Sequence, residues 1–183
     1  WGQNPRKLAQ NDIDARWTKK NCESFYGFKV HANVDQGTKL INAREVTSAE
    51  VHDSQVLEKV RQYPEAGGAD VYADSAYRSN AQEESLAASS HTSRIHEKGA
   101  RNHPLTEAQK SSNKEKSRVR ARVEHVFGSM TNELGGITIR TIGRMRAKVQ
   151  IGLLNLVYNI KRVAMLIRKR HFSFDRVIAP EIA

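Results

Sequence analysis

The sequence predicts an α/β fold, and three observations carry that prediction. One stretch alternates cleanly between apolar and polar residues and runs through a turn into a second strand-like stretch. Helical and strand-like segments then alternate, and two long segments near the end repeat apolar residues every three or four positions. Residues 1–24 are polar and mixed in charge, without sustained periodicity, and read as a linker. In "FYGFKVHANVD" (25–35), Tyr26, Phe28, Val30, Ala32 and Val34 share one face, and Lys29, His31, Asn33 and Asp35 share the other. That is the pattern of a half-buried strand. "DQGTK" supplies turn chemistry and "LINAREVT" a second strand, which completes a hairpin.

Asp53 stands where a helix N-cap would, ahead of Val56, Leu57 and Val60, with Pro64 and Gly67–Gly68 as terminators. "ADVYADSAY" reads as a short apolar strand closing at Asp74, followed by a helix over 80–89 and a short strand around "SRIHEK". Residues 99–117 are basic and polar, punctuated by Pro104. A helix then runs through Val119, Val123, Val126, Phe127 and Met130, and Gly135–Gly136 break it. A last helix over 144–170 carries Met145, Val149, Leu153, Leu156, Ile160, Val163 and Ile167, a stripe expected to pack on the sheet. The expected architecture is a mixed sheet covered by helices. Its parts are a linker (1–24), a core (25–135), a C-terminal helical extension (136–170) and a tail (171–183).

At 183 residues the chain can bury one sizeable core. Thirty Lys and Arg against twenty Asp and Glu give a formal charge of +10, which attracts polyanions, chiefly nucleic acid. The one cysteine, Cys22, excludes an internal disulfide and fits a reducing, cytoplasmic setting. No apolar run approaches the ~20 residues of a membrane span. The best stretch, "VQIGLLNLVYNI", is interrupted by Gln150, Asn155 and Asn159.

Two carboxylates stand out. Asp74 closes an apolar strand, where a side chain faces the crevice at the sheet's carboxyl edge; the blander role is a turn cap. Glu124 lies in "RVRARVEHVFG" among arginines, at the margin of the apolar stripe, and is expected to look towards the sheet. Its blander role is an i, i+4 ion pair with Arg120, which contributes only about 0.2–0.5 kcal/mol and is in the less favourable order. A divalent cation is a stronger reason for a carboxylate there, since Mg²⁺ takes one or two carboxylates together with water and phosphate oxygens.

The stretches "YGFKVHANVD", "TSAEVHDSQ", "VYADSAYRS", "IHEKGARNHPL", "KSRVRARVEHVFGSM" and "RTIGRMRAKVQIGLLNLVYNIKR" together resemble the transposases of the insertion sequence five family, from about residue 3 to 170. The resemblance implies an RNase-H-like DDE catalytic domain. Its second catalytic Asp would be Asp74 and its Glu, in an R-x-R-x-x-x-E-H helix, Glu124; both would be ligands of a two-metal Mg²⁺ or Mn²⁺ site. Arg120, Tyr77 and Arg78 match supporting positions. Further implied are metal-dependent hydrolysis at transposon ends and strand transfer by the 3′-hydroxyl. Expected partners are double-stranded DNA, as transposon ends and target, and further copies or full-length transposase, in the bacterial nucleoid.

The family's first Asp, on the first central strand, has no match here. The chain is therefore expected to be N-terminally truncated, short of that strand and inactive alone. Asp14 and Asp35 are poor substitutes: Asp14 is not in an apolar strand, and Asp35 starts the hairpin turn. Lys98, Arg101, Lys116, Arg118, Arg120 and Arg122 are expected to contact the DNA backbone. His91, His96 and His103 lack zinc-like spacing, and His52–Asp53 reads as a helix cap. Two rivals remain: a non-catalytic DNA-binding remnant, whose affinity would fall with salt but not need Asp74 or Glu124, and an RNase-H-like nuclease without strand transfer.

Overall fold

The computed structural model of the chain describes residues 4–6, 10–20, 22–61, 68–100, 103–136 and 138–169. Strands β1 (Arg16–Lys20), β2 (Glu23–Val34) and β3 (Ile41–Ser48) form an antiparallel sheet with β2 in the middle. Val30 lies opposite Val46 and Tyr26 opposite Trp17. The hairpin turn is built as its residues require. The Asp35 carboxylate accepts from the Thr38 amide at 2.6 Å, and Lys39 takes a positive φ of 62°. Hydrogen bonds from the Thr38 hydroxyl and amide hold the Asp35 carboxyl below its usual range. Asp35 is thus engaged in its own turn.

Strand β1 lies inside the segment read as a linker. Its mostly exposed side chains give no alternation to detect. It is fixed instead by non-local contacts: Trp17 against Tyr26 at 5.2 Å, and the Tyr26 hydroxyl donating to the Asp12 carbonyl.

After β3 comes a 3-10 turn, Asp53–Gln55, and a single helical turn, α1 (Leu57–Val60). His52 rather than Asp53 is the cap, its Nδ1 accepting from the Ser54 amide at 3.3 Å. Asp53 instead pairs with Lys29 at 3.2 Å. Pro64 and Gly67 lie outside the described residues. Strand β4 (Asp70–Val71) pairs in parallel with β5 (Thr92–Ser93), with α2 (Asn80–Ala88) crossing between them under a Ser79 cap. One mixed sheet was expected; the described strands form two, with no ladder joining them. They meet through side chains, above all His31 of β2 and Tyr77 beyond β4.

Helix α3 (Glu107–Glu133) begins well before Val119, inside the stretch read as basic and polar. The signal is a capping box: the Thr106 hydroxyl accepts from the Gln109 amide while the Gln109 side chain accepts from Thr106. Val126 and Met130 are buried as the stripe predicts and join Ile41 and Tyr158 in one core cluster. Leu57, Ala73, Leu86 and Ile95 form a second cluster around the parallel pair.

Helix α4 (Arg144–Arg168) overturns an expectation. Its buried residues are Ala147, Ile151, Asn155, Tyr158 and Leu166, whereas Met145, Val149, Leu153, Leu156 and Ile160 face solvent. Polar groups decide which side turns inward. Asn159 donates to and accepts from the Ile41 backbone at 2.9 Å, and the Tyr158 hydroxyl donates to the Lys39 carbonyl at 3.0 Å. Those bonds satisfy backbone groups that the sheet edge would otherwise leave open. Gly152 lies beneath Arg44, whose Nη2 would be 2.3 Å from any added Cβ. The helix has no side-chain cap of its own at Gly143. Asp12 accepts from the Gly143 amide at 2.9 Å and Asp14 from the Arg144 amide at 3.0 Å, which places two carboxylates at the positive end of the helix dipole. Asp14 therefore serves α4.

Candidate active site

Asp74 follows Ala73 at the end of the parallel ladder, where the His96 amide still donates to the Ala73 carbonyl at 3.1 Å. Its Oδ1 accepts from the Ser75 amide at 2.6 Å and caps the 3-10 turn Ser75–Tyr77. Asp74 has the blander capping role through Oδ1, and its Oδ2 faces the Arg120 guanidinium at 3.5 Å.

That turn is held from below by Tyr77. Its hydroxyl is 3.0 Å from Nδ1 of His31, whose Nε2 is 3.2 Å from the Thr47 hydroxyl. His31 was expected on the polar face of a half-buried strand, yet it is only 4% exposed, because the turn covers that face too. Burial lowers the His31 pKa, with Asp53 opposing and Lys29 adding to the shift. Burial, then Asp53 and Asp74, push the Tyr77 hydroxyl up to about 12. Both groups are accordingly neutral at pH 7. The unfolded chain binds a proton at His31 more readily than the folded one does, so its contribution to stability is full above about pH 6.5 and declines as pH falls below that value. His31→Gln is expected to flatten the stability–pH curve in that window, measured by urea unfolding at several pH values.

Helix α3 is fastened to the β5 end by a row of side chains. Asn113 donates to the Glu97 carbonyl at 3.1 Å and accepts from its amide at 2.9 Å. Lys116 donates to the Ile95 carbonyl at 2.9 Å. His96 stands 2.9 Å from the Ala73 carbonyl through Nδ1 and 2.8 Å from the Ser117 hydroxyl through Nε2. A carbonyl can only accept, so Nδ1 donates to Ala73, and Nε2 faces the Ser117 hydroxyl. His96 thus ties the residue before Asp74 to the helix that carries Glu124. Arg78 braces the same region through ion pairs with Glu97 and Glu83. The Arg78 hydrogen bond is the main reason the Glu97 carboxyl lies below its usual range.

One turn along α3, Arg120 reaches both carboxylates singled out in the sequence. Its Nη1 is 3.5 Å from Asp74 and its Nη2 is 3.1 Å from Glu124. Glu124 does not look towards the sheet as expected; its side chain is 66% exposed. At 100° per residue it lies about 160° around the helix from the buried Val126. The ion pair with Arg120 does form, but the same guanidinium also holds Asp74.

Carboxylate oxygens are donors of the kind a divalent cation takes. Two carboxylates already converge on one positive group, and both are hard oxygen donors of the kind Mg²⁺ or Mn²⁺ takes. Among the described residues no group of three or more His, Cys, Asp or Glu side chains gathers as a metal cage. The remaining positions would fall to water and phosphate oxygens.

The expected DNA contacts separate into engaged and free groups. Lys116 is 13% exposed at its side chain and pairs with Glu97 and the Ile95 carbonyl. Arg122 donates to the Gln36 carbonyl at 2.6 Å, bracing the hairpin turn. Lys98 and Arg118 are exposed, with no described partner. Arg101 lies outside the described residues. Of the other histidines, His91 is buried beside Ser89 and His103 is exposed. Nothing in the sequence alone gives His96, Asn113 or Asp12 a role. No short-range spacing marks them, since their partners lie on other elements.

No helix among the described residues is long and apolar enough to cross a membrane. No solved structure matches the chain. The chain is 30% identical over 154 residues to a transposase for insertion sequence element IS1106 from Neisseria meningitidis serogroup B, covering 84% of this chain and 52% of that protein. It thus spans about half the length of the curated relative it matches. The family of transposase DDE domains matches it over residues 5–160, and the chain belongs to that family.

Proposed function

We propose that the chain is the catalytic part of an insertion-sequence transposase of the insertion sequence five type, with an RNase-H-like core and with Asp74 and Glu124 as two of its metal-binding carboxylates. One observation carries this reading: Arg120 contacts two acids from distant parts of the sequence, Asp74 and Glu124. Domains of this family generally use divalent metal ions. Such ions activate the attacking oxygen and stabilise the leaving one in phosphoryl transfer. The chain's own residues do the rest. Asp74 and Glu124 would supply oxygens to a cation, and Arg120, which pairs with both, would then be available to a DNA phosphate. Lys98 and Arg118 hold the DNA backbone. Full-length transposase or a further copy would supply what the described residues lack, because Asp14 and Asp35 are committed elsewhere. The substrate class is double-stranded DNA at transposon ends.

The test is a calorimetric titration with Mn²⁺ of this chain, of Asp74→Ala and of Glu124→Gln. The expected result is weak binding by the unaltered chain and none by either variant, with all three equally folded by circular dichroism. Binding that survives both substitutions would reject the site. No binding even by the unaltered chain would favour the DNA-binding remnant, whose affinity falls with salt and ignores both acids.

A further inference from the structure

The apolar stripe expected to pack on the sheet points the other way. Met145 is 73% exposed, Leu153 59% and Ile160 61%, on the side of α4 opposite Ala147, Ile151 and Tyr158. An exposed Leu needs no explanation, but a continuous row does, since the largest apolar patch on a monomer is typically about 300–600 Å². With about 150–200 Å² for each fully exposed aliphatic residue, this row presents roughly 700 Å², close to the ~800 Å² per partner of a standard interface. The intervals from Val149 through Leu153, Leu156, Ile160 and Val163 to Ile167 run four, three, four, three, four, the spacing by which one helix seats against another.

We propose that this face of α4 is where a second copy of the chain docks, the two helices pairing across a two-fold axis near Leu156. The row is self-complementary. In an antiparallel pair centred on Leu156, Met145 meets Ile167, Val149 meets Val163 and Leu156 meets its own copy, with Leu153 and Ile160 one residue out of register. Charge fits the same arrangement. No charged residue lies between Val149 and Ile160, and α4 contains no acid. Lys148 and Lys161 are drawn off to Glu45 and Glu133 of their own chain. Like charges therefore meet only at the two ends, where Arg144, Arg146 and Arg168 stand. Salt screens that repulsion, so the dimer tightens as ionic strength rises, the opposite of DNA binding. This inference does not depend on the metal site.

Sedimentation equilibrium of nucleic-acid-free protein, at about 0.1 M and about 0.5 M salt, tests it. The expected result is a monomer–dimer equilibrium in the micromolar range that shifts towards dimer at the higher salt. Leu153→Glu combined with Ile160→Glu should shift it to monomer by at least tenfold in the dissociation constant, with unchanged circular dichroism. As a check independent of that variant, Leu156→Cys in a Cys22→Ser chain should form a covalent dimer with a short bismaleimide. A chain that stays monomeric at both salt concentrations would overturn the proposal and leave the face to another occupant. So would a double variant that dimerises like the unaltered protein, or association that weakens with salt.

Discussion

Leu86→Ala is expected to destabilise the fold by about 3 kcal/mol, within the ~2–5 kcal/mol range of such truncations. Leu86 is fully buried among Leu57, Ala73 and Ile95, the residues through which α1, α2 and the parallel strand pair hold one another. The loss combines the transfer free energy of the deleted carbons with the void left behind, and neighbours on three separate elements cannot all close in. Urea unfolding checks it through the shift in midpoint at constant slope. Because Ala73 precedes Asp74, the turn that presents the carboxylate should loosen as well. A cost below about 1 kcal/mol would mean that this cluster is not a core.

His96→Ala is expected to weaken Mn²⁺ binding at the proposed site by about 10–100-fold, the usual effect of removing a group that orients a metal's ligands. It should also cost about 0.5–1.5 kcal/mol of stability, since the Ala73 carbonyl keeps the backbone amide but loses its side-chain donor and the exposed Ser117 hydroxyl loses its tie. His96 touches neither carboxylate. It acts by fixing the strand end that carries Asp74 against the helix that carries Glu124. His96→Gln keeps a donor for the carbonyl and should restore part of the affinity. Calorimetry beside urea unfolding separates the two effects. Lost stability with unchanged Mn²⁺ affinity would reduce His96 to a structural tie.

Of the proposed site, the two acids could be singled out in the sequence, and hardly anything of what holds them. Asp74 and Glu124 could be named because each sits in a short local pattern, an apolar run ending in an acid and an acid among arginines. Arg120 could be named as a partner of Glu124 because i, i+4 neighbours on a helix always meet. That the same guanidinium also reaches Asp74 could not be read, because it depends on how α3 lies across the strand end. Lys116 and Arg122 looked like free cations for the same reason. Their carbonyl partners, Ile95 and Gln36, lie on other elements.

The sequence by itself determined what depends on neighbours along the chain: the β2–β3 hairpin and its Asp35 turn, the helix that Ser79 caps, and the end of α3 before Gly135–Gly136, whereas the start of α3 lies at the Thr106–Gln109 box and not at the apolar stripe. Tertiary structure alone decided which face of a periodic element turns inward. His31 lies on the polar side of β2 yet is buried, because Tyr77 arrives from beyond β4. The apolar row of α4 is exposed, because Tyr158 and Asn159 on another side find open backbone groups at Lys39 and Ile41. Periodicity fixes where faces are. Which face is covered depends on contacts between distant residues, and an unpaired buried backbone group costs more than an exposed leucine.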